Sequence, residues 1–297
     1  TTPTITGRAD AGNQVNVYVD STFRGSVIAD SSGNWSFTID SSEPLTDGSY
    51  AITARAIDAA GNVSGDAINL QRTPIPAASP GRTYQEFRNV RAFAALKDDG
   101  SVITWGEEGW GGNSSSVASQ LQGGVSQIFS TETAFAALKD DDSVITWGHS
   151  DNGGDSSSVV TQLQGGVSQI FSNEYAFAAL KDDGSVTTWG EFWSGGDSSS
   201  VSAELQSGVN QIFSARYAFA ALKDDGSVVT WGDSDYGGDS SSVSAELQSG
   251  VSQIFSNQAA FAALKEDGSV ITWGYSGYGG DSSSVSDQLQ SGVSQIF

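Results

Sequence analysis

Ala176-Phe177-Ala178-Ala179-Leu180-Lys181-Asp182-Asp183-Gly184-Ser185-Val186-Thr187-Thr188-Trp189-Gly190 reads as two β-strands joined by a tight turn. The Asp183-Gly184 pair supplies positive φ between two β-prone runs, the strongest short-range hairpin pattern there is. In an extended strand, Phe177 and Ala179 point to one side, and Ala176, Ala178 and Leu180 to the other. Both sides are apolar, so the hairpin is expected to be buried on both faces.

The same anchor, Ala-Phe-Ala-Ala-Leu-Lys, begins at Ala92, Ala134, Ala176, Ala218 and Ala260, a constant step of 42 residues. Each unit reads strand, loop, strand, turn, strand, long loop, with a first strand at residues 167–171 in the third copy. The second copy places Asp142 where the others have Gly, and Asp tolerates positive φ at some cost. A β-unit of this period indicates propeller blades or a solenoid. Burial on both faces favours stacked blades, so residues 84–297 are expected to form a β-propeller of five repeats. Trp105, Trp147, Trp189, Trp231 and Trp273 should then occupy equivalent, largely buried places in three- or four-stranded blades.

Upstream, Gln14–Val19 alternates polar and apolar with period two, and residues 35–39 and 50–54 do much the same. Turn clusters at residues 30–34, 47–49 and 58–62 separate them. Short strands at this spacing predict a β-sandwich over residues 1–75. Residues 73–82 hold three of the chain's five prolines, an extended linker placed at 76–83. The fold class is therefore all-β, a sandwich followed by a propeller.

Two resemblances accompany these patterns. Ile5-Thr6-Gly7, Val15-Asn16-Val17, residues 33–37 and residues 55–62 resemble the bacterial immunoglobulin-like modules strung along surface adhesins. That implies a spacer on an exported protein. The run Phe-Ala-Ala-Leu-Lys-Asp-Asp-Gly-Ser-Val-x-Thr-Trp-Gly, followed by Gly-Gly, is similar to the regulator-of-chromosome-condensation repeat. It is closest to the version in propeller-type β-lactamase inhibitor proteins. Those families form seven-bladed propellers that bind proteins through loops at one end. This chain has five copies, and the Gly-Gln-Leu-Gly usual after Trp-Gly is reduced to Gly-Gly.

Composition narrows the function further. A formal charge of −22 leaves little to neutralise phosphates or to dock on an anionic membrane, and no apolar run approaches spanning length. There is no Cys, hence no disulfide or thiolate site. There is also no Met, and Phe297 falls inside a repeat, so the chain is expected to be a piece of a longer protein.

The five copies differ mainly in two windows. The first comprises Asn89-Val90-Arg91, Thr131-Glu132-Thr133, Asn173-Glu174-Tyr175, Ala215-Arg216-Tyr217 and Asn257-Gln258-Ala259. The second, after Trp-Gly, comprises Glu107-Glu108-Gly109-Trp110, His149-Ser150-Asp151-Asn152, Glu191-Phe192-Trp193-Ser194, Asp233-Ser234-Asp235-Tyr236 and Tyr275-Ser276-Gly277-Tyr278. In an up-down-up unit both windows share one face, opposite the Asp-Gly turns. Their Tyr, Trp, Ser, Asn and Asp content suits recognition, rigid aromatics supplying area and small polar groups supplying hydrogen bonds. Simple tolerance of change in short surface loops is the competing reading.

No catalytic set is evident, because His149, the only histidine, has no counterpart in other copies and no recognisable partner. Asp155, Asp197, Asp239 and Asp281, with Asn113 in the first copy, are expected to bond turn backbone rather than Ca²⁺. Asp10, Asp20, Asp47 and Asp58 make the immunoglobulin-like unit the one candidate calcium site. Lys97, Lys139, Lys181, Lys223 and Lys265 read as solvated strand ends. The expectation is a non-enzymatic, cofactor-free, adhesin-like protein, secreted or at the cell surface, binding a protein or glycan ligand. The alternative is a structural subunit of an extracellular filament or sheath that contacts other copies of itself, for which residues 293–297, a surplus copy of the first strand, provide an edge.

Overall fold

The computed structural model describes residues 4–19, 22–31, 33–39, 52–57 and 89–297. The chain divides into two compact units, Thr1–Ser79 and Pro80–Phe297. The 76–83 linker and the turns at 47–49 and 58–62 lie outside the described residues.

In the first unit β1 (Thr4–Arg8) pairs antiparallel with β4 (Asn34–Thr38). A second sheet runs β3 (Thr22–Ile28), β2 (Gln14–Val19), β5 (Ile52–Ile57). The alternation in β2 does what it should: Val15, Val17 and Val19 are buried together with Trp35 of β4 and Ala54 of β5. The two sheets therefore face each other across one core, the sandwich expected from period-two strands. The 30–34 turn closes through Asp30, whose Oδ1 accepts Asn34 N at 2.9 Å.

The second unit is a row of five blades. Blade one is β6 (Ala92–Leu96) with β7 (Val102–Gly106). Blade two is β8 (Val125–Ser130), β9 (Ala134–Lys139) and β10 (Val144–Gly148); blade three is β11 (Val167–Ser172), β12 (Ala176–Lys181) and β13 (Val186–Gly190). Blade four is β14 (Val209–Ser214), β15 (Ala218–Lys223) and β16 (Val228–Gly232); blade five is β17 (Val251–Ser256), β18 (Ala260–Lys265) and β19 (Val270–Gly274). Blades two to five are three-stranded antiparallel sheets with the second strand central. The hairpin strand of the third copy is found as read, and its Phe177 lies opposite Trp189.

Two-faced burial of the central strand is what joins the blades. Phe177, Ala179 and Trp189 pack with Ala134, Ala136 and Leu138 of blade two. From the other side of the same strand, Ala176, Ala178 and Leu180 pack with Phe219, Ala221 and Trp231 of blade four. The junctions between blades one and two and between four and five repeat this arrangement. At each junction a Phe–Trp stack of one blade covers a loop glycine of the blade before it.

The Gly-Gly pair is explained by that junction. Gly153 has φ +99°, and a Cβ there would lie 2.5 Å from the Phe177 ring of the next blade. Its carbonyl accepts Trp189 Nε1 at 3.1 Å. Gly154 sits so close to Gly148 that a Cβ would fall 2.4 Å from that carbonyl oxygen. Side chains are excluded in the same way at the pairs of blades one, three and four, and Gly279 of blade five keeps the left-handed φ of +93° without that contact.

Two expectations need correction. Trp147, Trp189, Trp231 and Trp273 are each 2% exposed, but Trp105 is 49% exposed. No earlier blade covers it among the described residues. The recurrent lysines are not merely solvated: Lys139, Lys181, Lys223 and Lys265 Nζ donate to the carbonyls of Gln120, Gln162, Glu204 and Glu246 in the loop preceding their own blade, at 2.7–3.1 Å. Lys97 instead pairs with Asp99 at 3.1 Å.

Asp142 adopts φ 62°, the one positive-φ non-glycine among the described residues, and the β9–β10 hairpin keeps its register. Asp142→Gly should therefore raise stability by up to about 1 kcal/mol, the usual cost of a side chain in the left-handed region. A thermal melt of the single variant checks this, and an unchanged or lower melting temperature would contradict it.

Candidate recognition surface

The two variable windows meet in every blade. Glu107, His149, Glu191, Asp233 and Tyr275 each donate a backbone N–H to the last first-window carbonyl, that of Arg91, Thr133, Tyr175, Tyr217 and Ala259. The windows are also laced from blade to blade. Val90 N donates to Glu132 O, Glu132 N to Glu174 O, Glu174 N to Arg216 O, and Arg216 N to Gln258 O. Ten segments scattered over the sequence thus form one continuous row along one face.

Within that row the candidate residues divide by role. The leading position of the first window is an internal tie. Asn89, Asn173 and Asn257 donate Nδ2 to the carbonyls of Trp110, Ser194 and Tyr278, and Thr131 donates its hydroxyl to Asn152 O. Their side-chain oxygens accept backbone N–H groups two or three residues on. Thr131, Thr133 and Asn173 are buried and hold the loops together rather than face solvent. Asn152 joins them through Nδ2 to Thr133 Oγ1, 2.9 Å.

The middle of the row carries a charged and aromatic cluster. Glu174 is buried and accepts from Arg216 Nε and, at 3.0 Å, from Arg216 Nη2. Tyr217 donates its hydroxyl to the same carboxylate at 3.3 Å and stacks on Tyr175 with ring centroids 5.8 Å apart. Tyr236 meets Tyr217 edge-on at 4.6 Å. Three aromatics expected in fully solvated loops are therefore half-buried and mutually braced. Burial raises the Glu174 carboxyl, but hydrogen bonds from Arg216, Tyr175 and Tyr217 outweigh it and hold the group below the ordinary carboxylate range. Burial, with the Glu174 charge, pushes the Tyr217 phenol up to about 12. Burial and hydrogen bonds to Glu174 and Glu132 raise Tyr175 as well.

A pH dependence follows. A carboxyl held below its unfolded pKa stabilises the fold above that unfolded value, and the contribution is lost as pH falls through the folded one. Glu174→Gln should therefore be less stable than wild type at neutral pH and lose less on acidification below about pH 4. Melting curves of both proteins at neutral and acidic pH test it, and an identical acid loss would contradict it.

Elsewhere the row is open, in blade three as well as toward its ends. Phe192 and Trp193 are 56% and 71% exposed and meet edge-to-face at 5.0 Å. Glu191 positions them, its Oε2 accepting Ser194 N at 2.7 Å. Asp233 braces its own loop in the same way through Asp235 N. Tyr275 and Tyr278 are exposed and adjacent. Arg91 lies over the Trp110 ring at 4.1 Å. Glu107, Glu108, Asp151 and Gln258 are exposed, and Val90 projects into solvent. His149 is partly covered, its Nδ1 shielded and without a hydrogen-bond partner.

The opposite face varies less, for reasons partly structural, although the exposed triplet beside the recurrent lysines also differs, from Ala118-Ser119-Gln120 and Val160-Thr161-Gln162 to Ser202-Ala203-Glu204 and Ser286-Asp287-Gln288. Asp183 Oδ1 accepts both Ser185 N and Ser185 Oγ, and Gly184 O accepts Val209 N of the next blade. The Asp–Ser pair is held by these bonds, while the glycine position accommodates Asp142 in the second copy, whose carbonyl accepts Val167 N in the same way. Exposed sites there nonetheless stay acidic through all copies, at Asp98, Asp140, Asp182, Asp224 and Glu266. Accessibility alone does not produce variation in this chain.

The loop acids Asp155, Asp197, Asp239 and Asp281, and Asn113, each accept a backbone N–H from the serine two residues on, at 2.8–2.9 Å. No group of three metal-capable side chains occurs among the described residues; Asp20, Asp47 and Asp58 lie outside them. No helix among the described residues is long and apolar enough to cross a membrane.

These elements define an all-β chain, a small sandwich followed by propeller-type blades that carry a row of variable loops. Residues 1–71 match the bacterial Ig-like domain family. No curated protein matches the chain. Among solved structures, the chain is similar to Prp20p from Saccharomyces cerevisiae, at 17% identity and a TM-score of 0.39, over 63% of this chain and 56% of that one. The same yeast protein bound to Kap60 gives 18% and 0.40, over 63% and 54%. Human WBSCR16 gives 19% and 0.39, over 63% and 60%. This chain thus spans little more than half the length of those proteins.

Proposed function

We propose that the chain is a non-enzymatic recognition module of an exported protein, its immunoglobulin-like unit serving as spacer and its blades presenting the variable row to a macromolecular ligand. The observation that carries this reading is the continuity of the row. The two windows in which the copies differ most are gathered onto one face and stitched together by backbone hydrogen bonds. Bracing of Tyr175, Tyr217 and Tyr236 reduces the ordering cost of binding, while Phe192, Trp193, Tyr275 and Tyr278 offer exposed anchors.

A protein ligand suits this surface best, because it is long, aromatic and broken into patches of both charges: Arg91 and Arg216 on one hand, Glu107, Glu108 and Asp151 on the other. The test is to immobilise the chain and challenge it in parallel with a glycan array and with extracellular proteins. Retention of a protein that is lost on Trp193→Ala and kept on Asp182→Ser supports the reading. Retention that depends on the turn face, or on neither face, overturns it.

A further inference from the structure

Glu132, Glu174 and Arg216 hold one position, the middle of the first window, in blades two, three and four. The third position of that window supplies a partner from the following blade. The Tyr175 hydroxyl hydrogen-bonds to Glu132, and Tyr217 donates its hydroxyl to Glu174. Each carboxylate is thus capped by a phenol one repeat on. After Arg216 the series breaks, because blade five carries Ala259, whose methyl group has no polar atom. Arg216 is internal to the row: its backbone N–H donates to Gln258 O and its carbonyl accepts Glu174 N. Its own side chain is fixed along one edge and one face. Nε and Nη2 donate to Glu174, and the guanidinium lies over the Tyr217 ring, 5.0 Å from its centroid. Nη1 makes no hydrogen bond among the described residues, and the side chain is 43% exposed.

We infer that Arg216 is the subsite for a carboxylate of the ligand, an Asp or Glu side chain that takes the place a phenol of the next blade holds beside Glu132 and Glu174. The inference rests on the recognition reading and specifies one point of it. A guanidinium carries its N–H donors in a rigid fork, and the pair with Glu174 uses only part of it. The remaining N–H groups are already oriented, so a ligand group meets them without the cost of ordering a long side chain. A carboxylate is the matching acceptor, since its two oxygens fit the fork as a bidentate pair. A single carboxylate is the limit. Glu132, Glu174, Asp233 and Asp235 lie in the same row, and like charges set against them repel, which excludes a polyanion.

The experiment selects random peptides displayed on phage against the full chain and keeps those whose binding is lost on Trp193→Ala, which marks them as ligands of the row. The selected peptides should share an Asp or Glu at one position. Changing that residue to its amide should lower affinity about 10-fold, the effect of losing a hydrogen bond to a charged group. The double variant Glu174→Gln, Arg216→Gln removes the guanidinium without stranding a buried carboxylate. It should bind the acidic peptide about 10-fold more weakly than wild type does and bind the acidic and amide peptides alike. Arg216→Lys, a milder change that keeps the charge but not the fork, should lose part of the same preference. A merely structural pair would weaken both peptides equally. Trp193-dependent peptides with no shared acid, or a preference for the acid that survives in both variants, would overturn the subsite and leave the recognition reading standing. Recovery of no Trp193-dependent peptide would overturn that reading and the subsite with it.

Discussion

Replacing Trp189 with Ala should destabilise the blade unit by about 3–5 kcal/mol, the range for removing a large buried aromatic. Trp105→Ala, in the same column of the repeat, should cost about 1 kcal/mol. The two side chains are chemically identical and each stacks on a phenylalanine. They differ in what lies on the far face. Trp189 is enclosed by blade two and donates Nε1 to Gly153 O, so truncation opens a cavity and leaves an acceptor unpaired. Trp105 already faces solvent over half its surface and loses little. Denaturant unfolding of the two variants reads the difference. Equal losses at both positions would mean that the leading end is covered in the folded molecule and that the blades are stacked otherwise than described.

The contrast between those tryptophans marks where the sequence stopped being informative. Strand positions were legible because alternation and the Asp-Gly turn are local: Gln14–Val19 and Ala176–Lys181 are found residue for residue. Stacking was legible too, since both faces of Ala176–Lys181 are apolar. What could not be read is that Trp105, unlike Trp189, is left half exposed among the described residues, because the two look alike in sequence. The windows were correctly placed on one face, for the hairpin connectivity requires it. Their internal division was hidden. Asn173 and Thr131 resemble adaptable surface groups but are consumed by bonds to the second window. The Glu174–Arg216 pair joins residues 42 apart, one repeat step, and charge reversal at matching positions of adjacent copies was the only trace available. The lysine ties could not be seen because they end on backbone carbonyls, which carry no sequence signature.

Recognition by the variable row is the central claim, and truncating its exposed aromatics should have the second large effect. Phe192, Trp193, Tyr275 and Tyr278 are the substitutions of choice, since the half-buried Tyr175, Tyr217 and Tyr236 also brace the fold. Aromatic anchors at an interface commonly cost about 2 kcal/mol or more on truncation, roughly a 30-fold loss of affinity. The decisive measurement is a binding titration of the retained ligand against wild type, the four single Ala variants, their combination, and Asp140→Ser with Asp182→Ser on the turn face. The account predicts that at least one single variant loses about 30-fold, that the combination does not bind, and that every variant melts close to wild type. The turn-face variants should bind within about threefold of wild type. Loss of binding in the turn-face variants, with full affinity retained when all four aromatics are removed, would contradict it.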